Sequence, residues 1–127
     1  CHDFGHLATL APIKPLSPSE REAMPPVWQP MIRQHPVTGQ KSLFISPIYN
    51  NAVEGMDDEA ALALIAELAE LAEDEAFVYR HIWSPDDIVM WDNRCTMHRV
   101  TPYDLGLRRV MHRATIVGDG PVVAGAP

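Results

Sequence analysis

Between Asp57 and Ala72 the chain reads D-D-E-A-A-L-A-L-I-A-E-L-A-E-L-A, and only a helix suits it. Alanine, leucine and glutamate are strong helix formers. Asp57, Asp58 and Glu59 fall in the first turn, where the helix dipole favours negative charge. Leu64, Leu68 and Leu71 recur at helical spacing as an apolar stripe, with Glu67, Glu70 and Glu73 mostly on other faces. A stripe of this kind predicts a helix packed on a sheet. It does not predict a membrane span, because Glu67 and Glu70 break the apolar run Ala60 to Ala72.

Everything else in the chain is short. Residues 1 to 16, with His2, His6, Pro12 and Pro15, show no clear period and read as irregular. Ser17-Pro18-Ser19-Glu20 predicts a helix start with Ser17 as cap and Glu20 completing a capping box, and Pro25-Pro26 stops that helix after about two turns. Val27 to His35 can be extended, His35 to Gln40 reads as a turn, and Ser42 to Ser46 as a strand closed by Pro47, which together predict a hairpin. A polar loop through Tyr49, Asn50 and Asn51 leads to Gly55. Beyond the long helix, Phe77 to Trp83 alternates as a two-faced strand, Ser84 to Asp87 is a turn, and Ile88 to Trp91 is a short apolar strand. Arg109 to Val117 is the last strand, ended by Gly118-Asp119-Gly120-Pro121, and the tail to Pro127 is expected to fray. The expectation is one domain over residues 1 to 127, β-rich with a flanking helix, as a sandwich or open barrel.

The net charge of −7 argues against nonspecific nucleic-acid binding, which needs a basic surface. It leaves room for a small anion, since a few arginines can make a local positive field inside an acidic protein. Two cysteines, Cys1 and Cys95, build neither a disulfide framework nor a four-cysteine zinc site, and point to a reducing, cytoplasmic setting. No basic-then-apolar leader opens the chain and no stretch is read as spanning or binding a membrane. The abrupt start at Cys1-His2-Asp3-Phe4, without Met, reads as a fragment of something longer.

The chemistry concentrates between Met90 and Arg113, M-W-D-N-R-C-T-M-H-R-V-T-P-Y-D-L-G-L-R-R-V-M-H-R. A neutral imidazole such as His98 can bind a transition metal, and a guanidinium such as Arg109 grips a carboxylate with two parallel hydrogen bonds. A lone histidine near a strand end is more often a hydrogen-bonded structural residue than a ligand. No H-x-D or H-x-E pair joins His98, and Cys95-x-x-His98 has no second half to make a zinc knuckle. A G-x-S-x-G elbow and a phosphate-binding glycine loop are absent as well. In the last strand Arg109 and Arg113 share a face, roughly 13 Å apart. That face is either a pocket wall holding two anions or a solvent face with two ordinary arginines. Tyr49 likewise sits in a loop that is either plain surface or a ligand contact.

Four segments together settle on a family: His35-Pro36-Val37-Thr38-Gly39, Leu43-Phe44-Ile45, Asp87 to His98 (D-I-V-M-W-D-N-R-C-T-M-H) and Arg108 to Thr115 (R-R-V-M-H-R-A-T). From about Leu10 to Asp119 the chain resembles the C-terminal half of the taurine dioxygenase / 2,4-dichlorophenoxyacetate dioxygenase family. These are iron(II)- and 2-oxoglutarate-dependent oxygenases on a double-stranded β-helix, a jelly roll. The resemblance implies hydroxylation of a small anionic organic substrate, a sulfonate or carboxylate, by O2, with release of succinate and CO2. It implies His98 as one iron ligand of a two-histidine, one-carboxylate set. It implies Arg109 as the partner of the C5 carboxylate of 2-oxoglutarate, Arg113 as an arginine near the substrate, and Tyr49 as an aromatic of the substrate pocket. Trp91, Asp92 and Asn93 are expected to set the turn that aims His98.

The family's H-x-D ligand pair and a cosubstrate-binding threonine have no counterpart here, so one of three iron ligands is present and activity of the fragment alone is not expected. The rival reading is a noncatalytic truncated β-domain with a structural or interaction role. Neither the substrate nor the oligomeric state, homo-oligomer included, follows from the sequence.

Overall fold

The computed structural model describes residues 1–10 and 14–118, and its N-terminal segment is bound into the body through its backbone. His2 exchanges backbone hydrogen bonds with Val27 at 2.9 Å in both directions, and Asp3 N–H donates to Tyr49 O at 2.8 Å. Asn50, buried, donates from its side chain to Cys1 O at 3.2 Å. Residues expected to be irregular are partly helical. Asp3 caps a 3-10 turn at Phe4–His6 through Gly5 N–H, and the turn runs into α1, Leu7–Leu10. A local aspartate cap suffices to start such a turn, and it needs no apolar periodicity.

The next elements follow the sequence closely. α2 is Pro18–Ala23, with both halves of the Ser17/Glu20 capping box formed. β1, Ile32–Gln34, pairs antiparallel with β2, Lys41–Leu43, with Arg33 opposite Ser42. The turn between them is closed by His35 N–H to Gln40 O at 2.8 Å and Gly39 N–H to His35 O at 2.9 Å. Gly39 sits at φ +70°, a left-handed conformation that glycine adopts without steric cost. The hairpin is shorter than expected: β2 ends at Leu43, and past it Phe44 N–H still donates to Met31 O at 2.7 Å.

α3, Asp58–Ala72, is capped by Asp57, whose carboxylate accepts from Ala60 N–H at 2.9 Å. Its buried residues are Ala61 and Ile65, and with Ile45 beyond β2 they are the buried apolar side chains of the described residues. The inward stripe is therefore displaced from the leucine register. Leu64 and Leu68 are half-buried at its edge, and Leu71 faces outward. Small alanines can approach a neighbouring surface more closely than leucine can. No described helix is long and apolar enough to cross a membrane.

The strands expected over residues 77–83, 88–91 and 109–117 are not formed among the described residues. A strand exists only with a neighbour to take its N–H and C=O groups. Here every backbone hydrogen bond donated by residues 77–118 closes a local turn, as in Asp87 N–H to Ser84 O and Leu107 N–H to Asp104 O. Pro85 and Asp86, the latter at φ +69°, make the expected turn. Of the β-rich expectation, the described residues contain one two-stranded sheet and the flanking helix, and no larger β-helical sheet. The end of the last strand at Asp119–Pro121, and the tail, lie outside the described residues.

Candidate functional site

Asp92 organises the turn in front of His98. Its backbone carbonyl accepts from Cys95 N–H at 3.3 Å, Thr96 N–H at 3.0 Å and the Thr96 hydroxyl at 2.6 Å. Its carboxylate accepts from the Arg94 backbone N–H at 2.8 Å, from Arg94 Nε at 2.9 Å and from Arg94 Nη2 at 2.6 Å. An aspartate that binds the backbone two residues on is a local turn former, and the forked guanidinium adds a bidentate ion pair. Arg94, then His35, hold the Asp92 carboxyl far below the usual carboxylate range, so it is ionised at any ordinary pH.

Trp91 and Asn93 complete the turn. The indole Nε1–H donates to Asn93 Oδ1 at 2.8 Å, and the indole ring lies against the His98 imidazole. His98 is exposed, and neither of its ring nitrogens has a hydrogen bond among the described residues. Of the three residues expected to set the turn before His98, Asp92 makes its hydrogen bonds, while Trp91 and Asn93 are bonded to each other and Trp91 packs on the imidazole.

The other sequence candidates lie apart. Arg109 is exposed, with its guanidinium carbon 5.3 Å above the Tyr103 ring. Arg113 is exposed and has no ion pair among the described residues. With no sheet around them, neither arginine has a strand face to occupy. Tyr49 is half-buried, packed on Phe4 at 4.8 Å between ring centroids. No hydrogen bond, ion pair or ring contact joins any two of His98, Arg109, Arg113 and Tyr49 among the described residues.

One contact escaped the sequence reading. His35 Nε2 meets Asp92 Oδ2 at 3.0 Å across 57 residues, and the Cys95 sulfur completes a group whose ligand atoms lie within 4.8 Å of one another. Such a trio can hold a metal in principle, but its proton and charge arrangement argues otherwise. His35 Nδ1 accepts from Val37 N–H at 3.2 Å and Thr38 N–H at 3.1 Å, which places the ring proton on Nε2, pointing at Asp92. The Arg94 guanidinium already occupies both carboxylate oxygens and repels a cation. The Asp-x-Arg spacing is a visible signal for the local fork, whereas no single sequence reveals a partner 57 residues away.

The profile of the taurine catabolism dioxygenase TauD, TfdA family matches residues 11–115. The chain is 46% identical over 106 residues to the alpha-ketoglutarate-dependent 2,4-dichlorophenoxyacetate dioxygenase of Cupriavidus pinatubonensis, covering 84% of this chain and 37% of that protein. It is 37% identical over 91 residues to the (S)-phenoxypropionate/alpha-ketoglutarate-dioxygenase of Sphingobium herbicidovorans, covering 72% of this chain and 31% of the relative. Among solved structures, AAD-2 in complex with Mn(II) and N-oxalylglycine superposes with a TM-score of 0.87 at 37% identity, over 96% of this chain and 48% of that one. The chain thus spans about a third of the length of the curated relatives it matches.

Proposed function

The chain belongs to the taurine catabolism dioxygenase TauD/TfdA family, and on that premise we propose that it serves as the C-terminal part of an iron(II)- and 2-oxoglutarate-dependent dioxygenase. The substrate class is a small organic anion, a carboxylate or sulfonate. The observation that carries the reading is His98: an exposed imidazole, steadied by Trp91, with both nitrogens uncommitted, eleven residues before a paired arginine. The fit of a metal to this chain is that of one donor. An imidazole nitrogen suits iron(II), and the rest of a two-histidine, one-carboxylate set has to come from other residues. Bound iron would couple O2 to oxidation of 2-oxoglutarate to succinate and CO2, with hydroxylation of the substrate.

The chain's own residues recognise and orient. Arg109 offers a planar fork to the C5 carboxylate of 2-oxoglutarate, and the Tyr103 ring beneath it limits where the fork can swing. Arg113 supplies a second cation for the substrate anion, and Tyr49 an aromatic wall to its pocket. In the assembled domain the segments 77–83, 88–91 and 109–117 become strands of a double-stranded β-helix, because each alternates or runs apolar and lacks only a neighbour. The superposition on AAD-2 over nearly the whole chain supports this path.

A noncatalytic β-module remains the second reading, favoured by one observation: no group of three ligand side chains among the described residues includes His98. The test is iron-dependent conversion of 2-oxoglutarate to succinate, run side by side on this chain and on a protein as long as the relatives. Turnover in the longer protein alone, abolished by His98→Ala, supports the oxygenase. No turnover in a well-folded longer protein favours the noncatalytic module.

A further inference from the structure

We propose that His35 is a positioning residue for His98, acting through Asp92 as a latch between the β1–β2 turn and the turn in front of the metal ligand; this rests on the oxygenase reading. The Asp92 turn by itself is local: Arg94, Cys95 and Thr96 all bind back to Asp92 within four residues. Local bonds shape the turn but do not fix where it sits. The hydrogen bond from His35 Nε2–H to Asp92 Oδ2 joins this turn to the hairpin, and just past His98 an exposed ion pair of Arg99 Nη1 with Glu73 Oε1 at 2.6 Å ties the chain to the end of α3.

His35 suits that task because both of its nitrogens are used in opposite senses. Nδ1 accepts the Val37 and Thr38 N–H groups and so fixes the ring within its own turn. Nε2 then presents a proton at a set position, and the His35 side chain is 10% exposed. Asp92 Oδ2 accepts this bond alongside those from the Arg94 fork. Four residues separate Asp92 from Cys95 and Thr96 at most, and His98 follows two residues later, so a displaced Asp92 displaces the imidazole with it. A metal site loses affinity when a ligand is free to wander, and outer partners of ligands are commonly worth ten- to a hundredfold in metal affinity.

The experiment uses a protein as long as the relatives and compares His35→Phe with His35→Gln. Phenylalanine fills the volume without a donor, whereas the glutamine amide can present an N–H at the reach of Nε2. Mn(II) binding is followed by calorimetry, alongside the thermal midpoint of the metal-free protein and acrylamide quenching of Trp91 in a background where Trp28 and Trp83 are Phe. The expected result is Mn(II) affinity reduced by roughly tenfold or more in His35→Phe and largely retained in His35→Gln. A lowered thermal midpoint with unchanged Mn(II) affinity in folded His35→Phe makes the contact merely structural and overturns the proposal. Two Mn(II) ions per chain, one of them lost in Cys95→Ser, overturns it too, since His35, Asp92 and Cys95 would then be ligands. If the unsubstituted protein binds no Mn(II), the oxygenase reading fails separately. The latch is then judged on Trp91: quenching that rises in His35→Phe but not in His35→Gln sustains it, and equal quenching in both sinks it.

Discussion

The indole of Trp91 lies against the imidazole of His98, with ring centroids 4.7 Å apart and planes inclined at 49°. Asn93 holds that indole by its Nε1–H, so the wall beside His98 is itself anchored. A tilted aromatic pair is worth about 0.5–1.5 kcal/mol beyond its buried area. Trp91→Ala is therefore expected to weaken metal binding by roughly two- to tenfold in a protein with the full ligand set. Trp91→Phe is expected to keep most of the affinity, and calorimetric titration of Mn(II) distinguishes the two variants.

Arg109→Lys tests the proposed cosubstrate contact. Lysine keeps the charge and loses the fork, and a hydrogen bond to a charged group contributes about 1.5–3 kcal/mol. Binding of 2-oxoglutarate to a protein as long as the relatives is expected to weaken by roughly ten- to a hundredfold, read as the KM for 2-oxoglutarate. An unchanged KM would place the cosubstrate carboxylate elsewhere.

In α3 the burial pattern gives a paired expectation. Ile65 is 3% exposed and Leu62 is 44% exposed on the same helix. Ile65→Ala is expected to cost about 2–4 kcal/mol through lost burial and the cavity left behind, and Leu62→Ala less than about 1 kcal/mol. Urea denaturation of the two variants measures both. Similar losses would mean that Leu62 also lies on the inward face of the helix.

His2 gives the fold a pH dependence. Burial first, then the N-terminal charge and Arg33, push its imidazole below the ordinary value of 6.5. The unfolded chain therefore takes up the proton before the folded one does as pH falls. The stability His2 allows is whole above about pH 6.5 and is lost as pH drops through the window beneath that value. The protection factor of the Val27 amide, whose N–H donates to His2 O, is expected to fall on acidification from pH 7 to that window, measured relative to the intrinsic exchange rate at each pH. His2→Phe, which can keep the stack on Phe44, is expected to flatten the dependence.

Local chemistry was legible in the sequence wherever it closes over a few residues. The Ser17/Glu20 box, the acidic start of α3, the His35–Gln40 turn and the Asp92 turn each need only neighbours in the chain, and each forms. Elements that depend on distant partners were not legible. Alternation at Phe77 to Trp83 marks a strand's faces but does not supply the strand beside it, and none is formed among the described residues. The leucines of α3 mark a helix, yet which side turns inward depends on what it meets, and Ala61 and Ile65 take that place. The same limit hid the His35–Asp92 contact, while the residues that frame His98 were found because they lie within seven positions of it.

The arm from Phe77 to Val117 also bears on how long such a chain survives in a cell. Ile82, Ile88 and Val117 are 88%, 94% and 90% exposed, and the backbone around them forms only local turns. Extended apolar backbone of this kind is what chaperones hold and proteases thread and cut. In the proposed β-helix neighbouring strands cover this arm, so the half-life of the chain is expected to follow how soon they do, and abundance, as much as turnover, becomes a measure of assembly.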